Sequence, residues 1–398
     1  MLEQITVAPP DAILGLTEAY KQDQNPRKIN LGVGIYQDEH GRTPILECVK
    51  AAEERILASA TSKAYQPIPG SAEYGRLTQE ILLGEGHPLL GSGRVKTAHT
   101  PGGTGALRVG ADFLSAFLDE RVVWMSSPTW ANHKGIFTAA GFSIQEYPYY
   151  DAEAHALNAA GMVSALEQVP KGHVVLLQVS CHNPTGVDPS AEHWQAIAAL
   201  AEERGWIPFL DFAYQGFGVD LETDRLPLAP FLRVGAELFV ASSFSKNFGL
   251  YQDRTGALTL VGPTLAAAEA AFSHVKKTIR VNYSNPPAHG GEIVRTVLTE
   301  ASLREQWLEE LAGMRNRIKA MRSALVDGLS ARGVDRDFGF INAQHGMFSF
   351  SGLNDEQVQY LRERKSIYIV KGGRINVAGI TSANVDYLCD AIAEALTR

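Results

Sequence analysis

Lys246 stands in the stretch Ser242–Tyr251, SSFSKNFGLY, just after the apolar run Leu238–Ala241, and Arg254 follows in the same loop. A lysine at the end of a buried strand is either a solvated surface group or a nucleophile. To be a nucleophile it must shed its proton, which burial and a neighbouring cation both favour. Asp211 closes a second apolar run, Ile207–Leu210, with Tyr214 three residues on. A carboxylate there is costly unless it caps a helix or meets a cation. Pro101-Gly102-Gly103-Thr104-Gly105 follows a strand and opens a helix. Helix-terminal amides freed of side-chain bulk form an anion site, and they are equally the plain start of a helix. The dinucleotide fingerprint fails there because Arg108 takes the place of its third glycine, and the Walker spacing Gly105 to Gly110 fails at Ala111. A single phosphate group remains compatible with this loop.

Other polar residues fall at similar places. Trp130, in PTWANH, lies beyond a strand end, where an indole either stacks on a planar ligand or fills a partly buried gap. Asn183-Pro184-Thr185-Gly186 is built from turn-forming residues, and its Asn183 amide is also a hydrogen-bonding group. His182 has no companion at metal-ligand spacing, and HExxH is absent, so the sequence argues for no metal. Arg280 and Arg374 each sit in an apolar or small-residue setting, suited either to salt bridges or to bidentate carboxylate recognition. Two glycines break the apolar stretch Asn30–Tyr36. They predict either a positive φ or a close approach of the backbone to a ligand.

The elements that position these residues follow from hydrophobic patterning. Runs at Val95–His99, Val122–Met125, Ile144–Tyr147, Val174–Val179, Ile207–Leu210, Leu238–Ala241 and Ala257–Val261 read as strands, with helices between several of them. Most are apolar throughout, which predicts an α/β domain with a mainly parallel seven-stranded sheet flanked by helices. Earlier in the chain, Asp11 is a candidate N-cap for a helix over Ala12–Gln22. A helix from Ile45 to Ser59 places Ile45, Val49, Ala52 and Ile56 on one face. After Gly262 helices dominate, including a long one from Leu303, and short strands at 346–350, 367–370 and 374–377 precede a helix over Asn384–Leu396. That part reads as a smaller α+β unit. In an open α/β sheet, ligands bind beyond the carboxyl ends of the strands. Thr104, Trp130, Asn183, Asp211 and Lys246 all fall at or just after such ends. They combine a phosphate cradle, a stacking ring, a hydrogen-bonding amide, a carboxylate and an amine, the set needed to hold a phosphorylated pyridine aldehyde.

The chain has 398 residues, enough for about two domains. Its net charge of −8 argues against nucleic-acid binding. Three widely spaced cysteines with no CxxC pair argue against a disulfide framework. No signal peptide and no apolar stretch of membrane-spanning length is evident, so no membrane partner is expected and a cytoplasmic location is.

The motifs INLGVGIY, TPGGTGALR, HNPTG, DFAYQGF, SSFSKNFGLY, IRVNYSNPPAHG and GRINVAGI together resemble the class I aminotransferases of the aspartate and aromatic amino acid branch. The match runs from about Asp11 to the C-terminus. The resemblance implies the fold-type I architecture of transferases dependent on pyridoxal 5'-phosphate. Its domains would be an N-terminal arm over 1–15, a small domain from 16–44 and 313–398, and a large cofactor-binding domain over 45–312. It implies a homodimer with active sites shared across the interface, and amino acids and 2-oxo acids as substrates.

Roles carry over by position. Lys246 is similar to the Schiff-base lysine and proton shuttle. Asp211 would keep the pyridine nitrogen protonated, with His133 behind it. Tyr214 and Asn183 would bond the ring's phenolic oxygen, and Trp130 would stack on the ring. Gly103, Thr104, Ser243, Ser245 and Arg254 resemble the phosphate site, with Tyr65 reaching it from the partner subunit. Arg374 matches the clamp for the substrate α-carboxylate, and Arg280 matches the arginine for a distal carboxylate across the interface. Gly34 and Tyr36 lie on the segment that closes over substrate. Arg280 favours dicarboxylates, and Thr104 and Asn285 match the aspartate type. Gln37 and Ala64 depart from it. The expectation is therefore transamination of aspartate, with aromatic amino acids also accepted, against 2-oxoglutarate. An aromatic-preferring or specialised-pathway enzyme, or a β-lyase or decarboxylase on the same fold, is the alternative.

Overall fold

The computed structural model describes residues 1–7, 12–233 and 237–397, with no side-chain description for 12–14. The arm's Pro9-Pro10 and the candidate cap Asp11 lie outside the described residues. The chain divides into two compact units, Met1–Thr43 with Arg317–Arg398, and Pro44–Asn316.

The unit Pro44–Asn316 holds a seven-stranded sheet. Its strands in chain order are β1 (Val95–Pro101), β2 (Val122–Ser127), β3 (Ser143–Pro148), β4 (Val174–Gln178), β5 (Ile207–Phe212), β6 (Leu238–Ser243) and β7 (Thr255–Val261). They lie in the order β1-β7-β6-β5-β4-β2-β3, and every pairing is parallel except the two made by β7. The continuous apolar runs are explained by burial on both faces. Val174 and Leu176 join one core cluster with Phe209, Phe239 and Leu258, while Val175 and Leu177 join another with Leu210, Val240 and Val261. Alternate residues thus supply two hydrophobic layers, as a period of 2 requires. All seven predicted strands are present. Several extend one or two residues past the apolar run, because backbone pairing continues through Asp211 and Ser243 where the side chains turn polar.

The helix over the second segment starts at Glu47 rather than at the predicted Ile45. Ile45 is 56% exposed and outside it, while Cys48, Val49 and Ala52 are buried. Both Glu310 carboxylate oxygens accept from the first backbone amides of this helix, Glu47 N at 2.6 Å and Cys48 N at 3.0 Å. A carboxylate distant in sequence therefore supplies the cap that Leu46 cannot.

In the other unit, Ile29–Asn30 pairs in parallel with Ile367–Tyr368, and Phe348–Phe350 pairs antiparallel with Arg374–Asn376. Helices Asp355–Lys365 and Val385–Leu396 complete an α+β arrangement. The first of these helices has no counterpart in the pattern reading, although Asn354 and Gln357 form a capping box at its start. Neither Gly32 nor Gly34 has positive φ, so that expectation is corrected. Their need is for space: a Cβ on Gly32 would lie 2.5 Å from Leu16 Cδ2, and one on Gly34 would lie 2.9 Å from Phe348 Cζ.

Candidate active site

The parallel strands all deliver their carboxyl ends to one edge of the sheet, and the antiparallel β7 delivers its amino end there. β1 leads directly into the helix Gly102–Phe117, which has no side-chain cap. Its first amides are donors without an intrahelical partner. Antiparallel pairing sets Thr255 opposite Pro101, so Arg254, one residue before β7, arrives at that same helix start. A Cβ on Gly102, whose φ is +70°, would lie 2.5 Å from Arg254 Nη2. One on Gly103 would lie 3.2 Å from Ser243 Cβ. Arg254 itself has φ +53°, unusual for a residue with a side chain. Its guanidinium donates to Ser245 Oγ at 3.5 Å and to the Tyr251 carbonyl at 3.1 Å. Glycine backbone, uncapped helix amides, an arginine and two buried serines thus converge at one point, a cradle for a phosphate.

The stretch around Lys246 is held from below. Asn247 Nδ2 donates to the Gln215 carbonyl at 3.2 Å, and Trp307 Nε1 donates to the Asn247 carbonyl at 2.8 Å. Phe248 stacks on Trp307 with ring centroids 4.4 Å apart. Trp307 went unnoticed in the sequence, since a tryptophan in a helical pattern carries no sign of what it packs on. Lys246 Nζ lies 5.3 Å from the centre of the Tyr214 ring. Burial pushes its pKa down to about 8, Arg254 reinforces the shift and the Asp211 charge opposes it. An amine so placed is partly unprotonated near neutral pH, as nucleophilic attack on a carbonyl requires.

Asp211 is buried in β5, and its Oδ2 meets His133 Nε2 at 3.0 Å. His133 is completely buried, and its Nδ1 lies 2.8 Å from Thr129 Oγ1. The carboxylate is therefore one member of a histidine pair and caps no helix. Trp130 is partly buried, edge-on to His133 with centroids 5.2 Å apart. Asn183 is buried in a turn, its backbone held by the Gln178 side chain at both N–H and C=O. Sequence reasoning passed over Gln178, although a polar residue ending an apolar strand is a visible signal. His182 is engaged by its own neighbours. It is buried and stacked on Tyr149 at 3.8 Å, with Ser126 and Thr185 hydroxyls on its two nitrogens. Burial holds its pKa well below the ordinary histidine value.

Tyr65 and Arg280 are not drawn into this cluster. Tyr65 is 91% exposed. Arg280 is exposed on the last turn of the helix Leu265–Asn282 and donates to Ser284 Oγ. Helix extension past Ile279 turns the arginine outward.

In the other unit Arg374 is buried and donates to the Gly32 carbonyl, with its guanidinium 4.4 Å over the Phe348 ring. Asn376 Nδ2 donates to the carbonyls of Val33 and Ile35, bracing the segment that carries Gly34 and Tyr36. The Tyr36 ring has Arg317 at 5.8 Å.

A doubly wound sheet whose strand ends gather a partly buried low-pKa lysine, a histidine-paired aspartate and a phosphate cradle defines a group-transfer enzyme working through a phosphorylated aldehyde cofactor. The chain belongs to the family of class I and II aminotransferases, whose pattern matches residues 26–392. The aspartate aminotransferase of Escherichia coli (strain K12) is 51% identical over 396 residues, covering 100% of both chains. The aromatic-amino-acid aminotransferase of Burkholderia pseudomallei, solved covalently bound to pyridoxal phosphate, superposes with a TM-score of 0.97 at 46% identity, covering 100% of this chain and 99% of that one. The aromatic amino acid aminotransferase of Psychrobacter sp. B6, cocrystallised with aspartic acid, gives a TM-score of 0.98 at 42% identity over 100% of both chains.

Proposed function

We propose that this aminotransferase uses pyridoxal 5'-phosphate to move an amino group between L-aspartate, and also aromatic amino acids, and 2-oxoglutarate. The observation that carries the reading is the convergence of Lys246, Asp211 and the Gly102–Arg254 cradle at one sheet edge. The residues present fit the cofactor: glycine opens room for a phosphate against Arg254, and a lysine of lowered pKa faces the place of an aldehyde. When bound, the cofactor supplies that aldehyde and an electron-poor ring that takes up the electrons left on the substrate carbon.

The chain's own residues do the rest. Gly103, Thr104, Ser243, Ser245 and Arg254 hold the phosphate, joined by Tyr65 of the partner subunit in a homodimer. The 91% exposure of Tyr65 and the outward Arg280 support a shared interface. Asp211, steadied by His133, holds the ring nitrogen in its protonated form. Trp130 would stack on the ring, and Asn183 and Tyr214 would bond its phenolic oxygen. Lys246 Nζ would hold the cofactor's aldehyde carbon and, once the substrate amine displaces it, the freed amine would take the proton from the substrate Cα. Arg374 binds the α-carboxylate, and Arg280 of the partner subunit takes a distal carboxylate. Gly34 and Tyr36 close over the substrate and exclude water. No helix among the described residues is long and apolar enough to cross a membrane. The three cysteines are buried and form no disulfide among the described residues, which suits a cytoplasmic, reducing setting.

A steady-state panel of aspartate, glutamate, tyrosine, phenylalanine and tryptophan against 2-oxoglutarate tests this reading. Turnover of aspartate with stoichiometric oxo-acid formation is expected, and Arg280→Ala should depress dicarboxylates far more than aromatics. Equal loss in both classes, or a chain that stays colourless with pyridoxal phosphate, contradicts it. The second reading, an aromatic-preferring enzyme, draws on the likeness to the two aromatic aminotransferase structures and appears in the same panel as a higher kcat/KM for tyrosine or phenylalanine than for aspartate.

A further inference from the structure

We propose that Gln178 is a positioning residue that sets the direction of the hydrogen-bond chain ending on Asp211. The inference rests on the reading of Asp211 as the partner of the cofactor's ring nitrogen. It follows from counting donors and acceptors in a buried network, where each proton must have a place to go.

The Asn183 N–H can only donate. The Gln178 atom 2.9 Å from it is therefore the amide oxygen, Oε1. That assignment leaves Nε2 on the other side, where it donates to the Asn183 carbonyl at 3.0 Å. Its second hydrogen faces Thr129 Oγ1 at 3.4 Å. An NH2 group accepts nothing, so the Thr129 hydroxyl proton cannot point at Gln178. Of the two side chains the hydroxyl meets, His133, with Nδ1 2.8 Å away, is the one able to accept, and the proposed direction places the proton there. Nδ1 is then the acceptor nitrogen. The ring proton sits on Nε2 and is donated to Asp211 Oδ2 at 3.0 Å.

The chain therefore runs one way, from Gln178 through Thr129 and His133 to Asp211. It holds His133 as one neutral tautomer and leaves Asp211 a carboxylate that receives a proton's hydrogen bond without taking the proton. Gln178 is 6% exposed, Asn183 5%, Asp211 7% and His133 0%, while Thr129 between them is partly buried. The register adds a constraint. Gln178 in β4 is paired directly with Asp211 in β5, so the residue at the head of the chain and the one at its end are fixed to the same rung of the sheet. One side chain consequently serves two tasks: it clamps the Asn183 turn through both backbone groups, and it orients the relay behind the ring nitrogen.

The test is nitrogen NMR of the holoenzyme labelled at histidine, with the His133 signals identified by their absence from His133→Asn. In the unaltered enzyme a bare Nδ1 and a protonated Nε2 are expected. In Gln178→Glu the atom facing Thr129 becomes an acceptor, the hydroxyl turns toward it, and His133 Nδ1 gains a proton. Combining Gln178→Glu with Thr129→Val removes the hydroxyl that carries the signal, and Nδ1 returns to its bare state. A protonated Nδ1 in the unaltered enzyme overturns the proposal, and that measurement needs no variant. A bare Nδ1 in folded Gln178→Glu overturns it too. A double variant that stays protonated also does so, because the effect would then be one of charge acting through space. All readouts are of the protein's own imidazole. Their failure leaves amino transfer standing, whereas failure of the amino-transfer panel shows as lost turnover with the tautomer unchanged.

Discussion

The Arg254 guanidinium rests against Gly102 so closely that a methyl group at 102 would sit 2.5 Å from Nη2. Glycine is needed there twice over, because φ is also +70°. Gly102→Ala meets a left-handed backbone cost of about 1–2 kcal/mol and pushes Arg254 off the helix start. The backbone cost falls on stability, whereas losing the Arg254 contact to the phosphate, about 1.5–3 kcal/mol, should lower affinity for pyridoxal phosphate about tenfold or more. Absorbance titration of the cofactor-free protein measures it, and an unchanged dissociation constant would show that Arg254 is not the phosphate ligand.

Lys246 should destabilise the cofactor-free protein. Its folded pKa, about 8, lies below the ordinary lysine value of 10.5. The unfolded chain therefore holds the extra proton between these values, and stability rises with pH across that window. Below about 8 the penalty is at its full size, up to about 3 kcal/mol. Lys246→Met should raise the urea midpoint of the cofactor-free protein at pH near 7, with the gain shrinking as pH climbs toward 10.5. A variant less stable than the parent at neutral pH would refute the burial argument.

His99 should make the fold acid-sensitive. It is 2% exposed, lies against Tyr74 with centroids 4.4 Å apart, and its Nε2 has no hydrogen-bond partner among the described residues. Burial pushes its pKa down to about 4 from 6.5. Here the unfolded state binds the proton first as pH falls. Stability contributed by the neutral ring is complete above about 6.5 and is lost progressively down to about 4. His99→Leu should flatten the stability-against-pH slope in that interval by up to about 1.4 kcal/mol per pH unit. Chemical unfolding at several pH values provides the comparison, and parallel slopes would count against it.

Trp307 should act on the lysine loop without touching a ligand. Trp307→Phe retains a ring for the Phe248 stack but leaves the Asn247 carbonyl without its 2.8 Å donor. The expected cost is about 1–3 kcal/mol for an unsatisfied buried acceptor. Trp307→Ala should cost about 3–5 kcal/mol. Equilibrium unfolding separates the two, and equal losses would assign the whole effect to the hydrogen bond.

Much of the site was legible because α/β topology turns sequence position into place. Lys246, Asp211 and Thr104 each follow or end an apolar run, and a parallel sheet gathers such ends at one edge. What pattern reading lacked was contact across the sequence. Nothing local to Asp211 distinguishes a helix cap from an ion pair; His133, 78 residues earlier, decides it. Nothing local to Gly34 distinguishes a turn from a close approach; Phe348 decides that. The apolar neighbours of Arg280 in sequence suited a salt bridge and carboxylate recognition alike, and only the helix Leu265–Asn282 shows it on an exposed last turn.

By itself, the sequence determined the seven strands, their buried character and the family to which the motifs belong, because hydrophobic period and glycine placement are local properties. The tertiary structure alone decided that β7 runs against its neighbours. That reversal brings Arg254 to the uncapped start of the Gly102 helix and beside the lysine whose proton it helps to remove. Strand direction depends on pairing between segments far apart in the chain, and no local pattern encodes it.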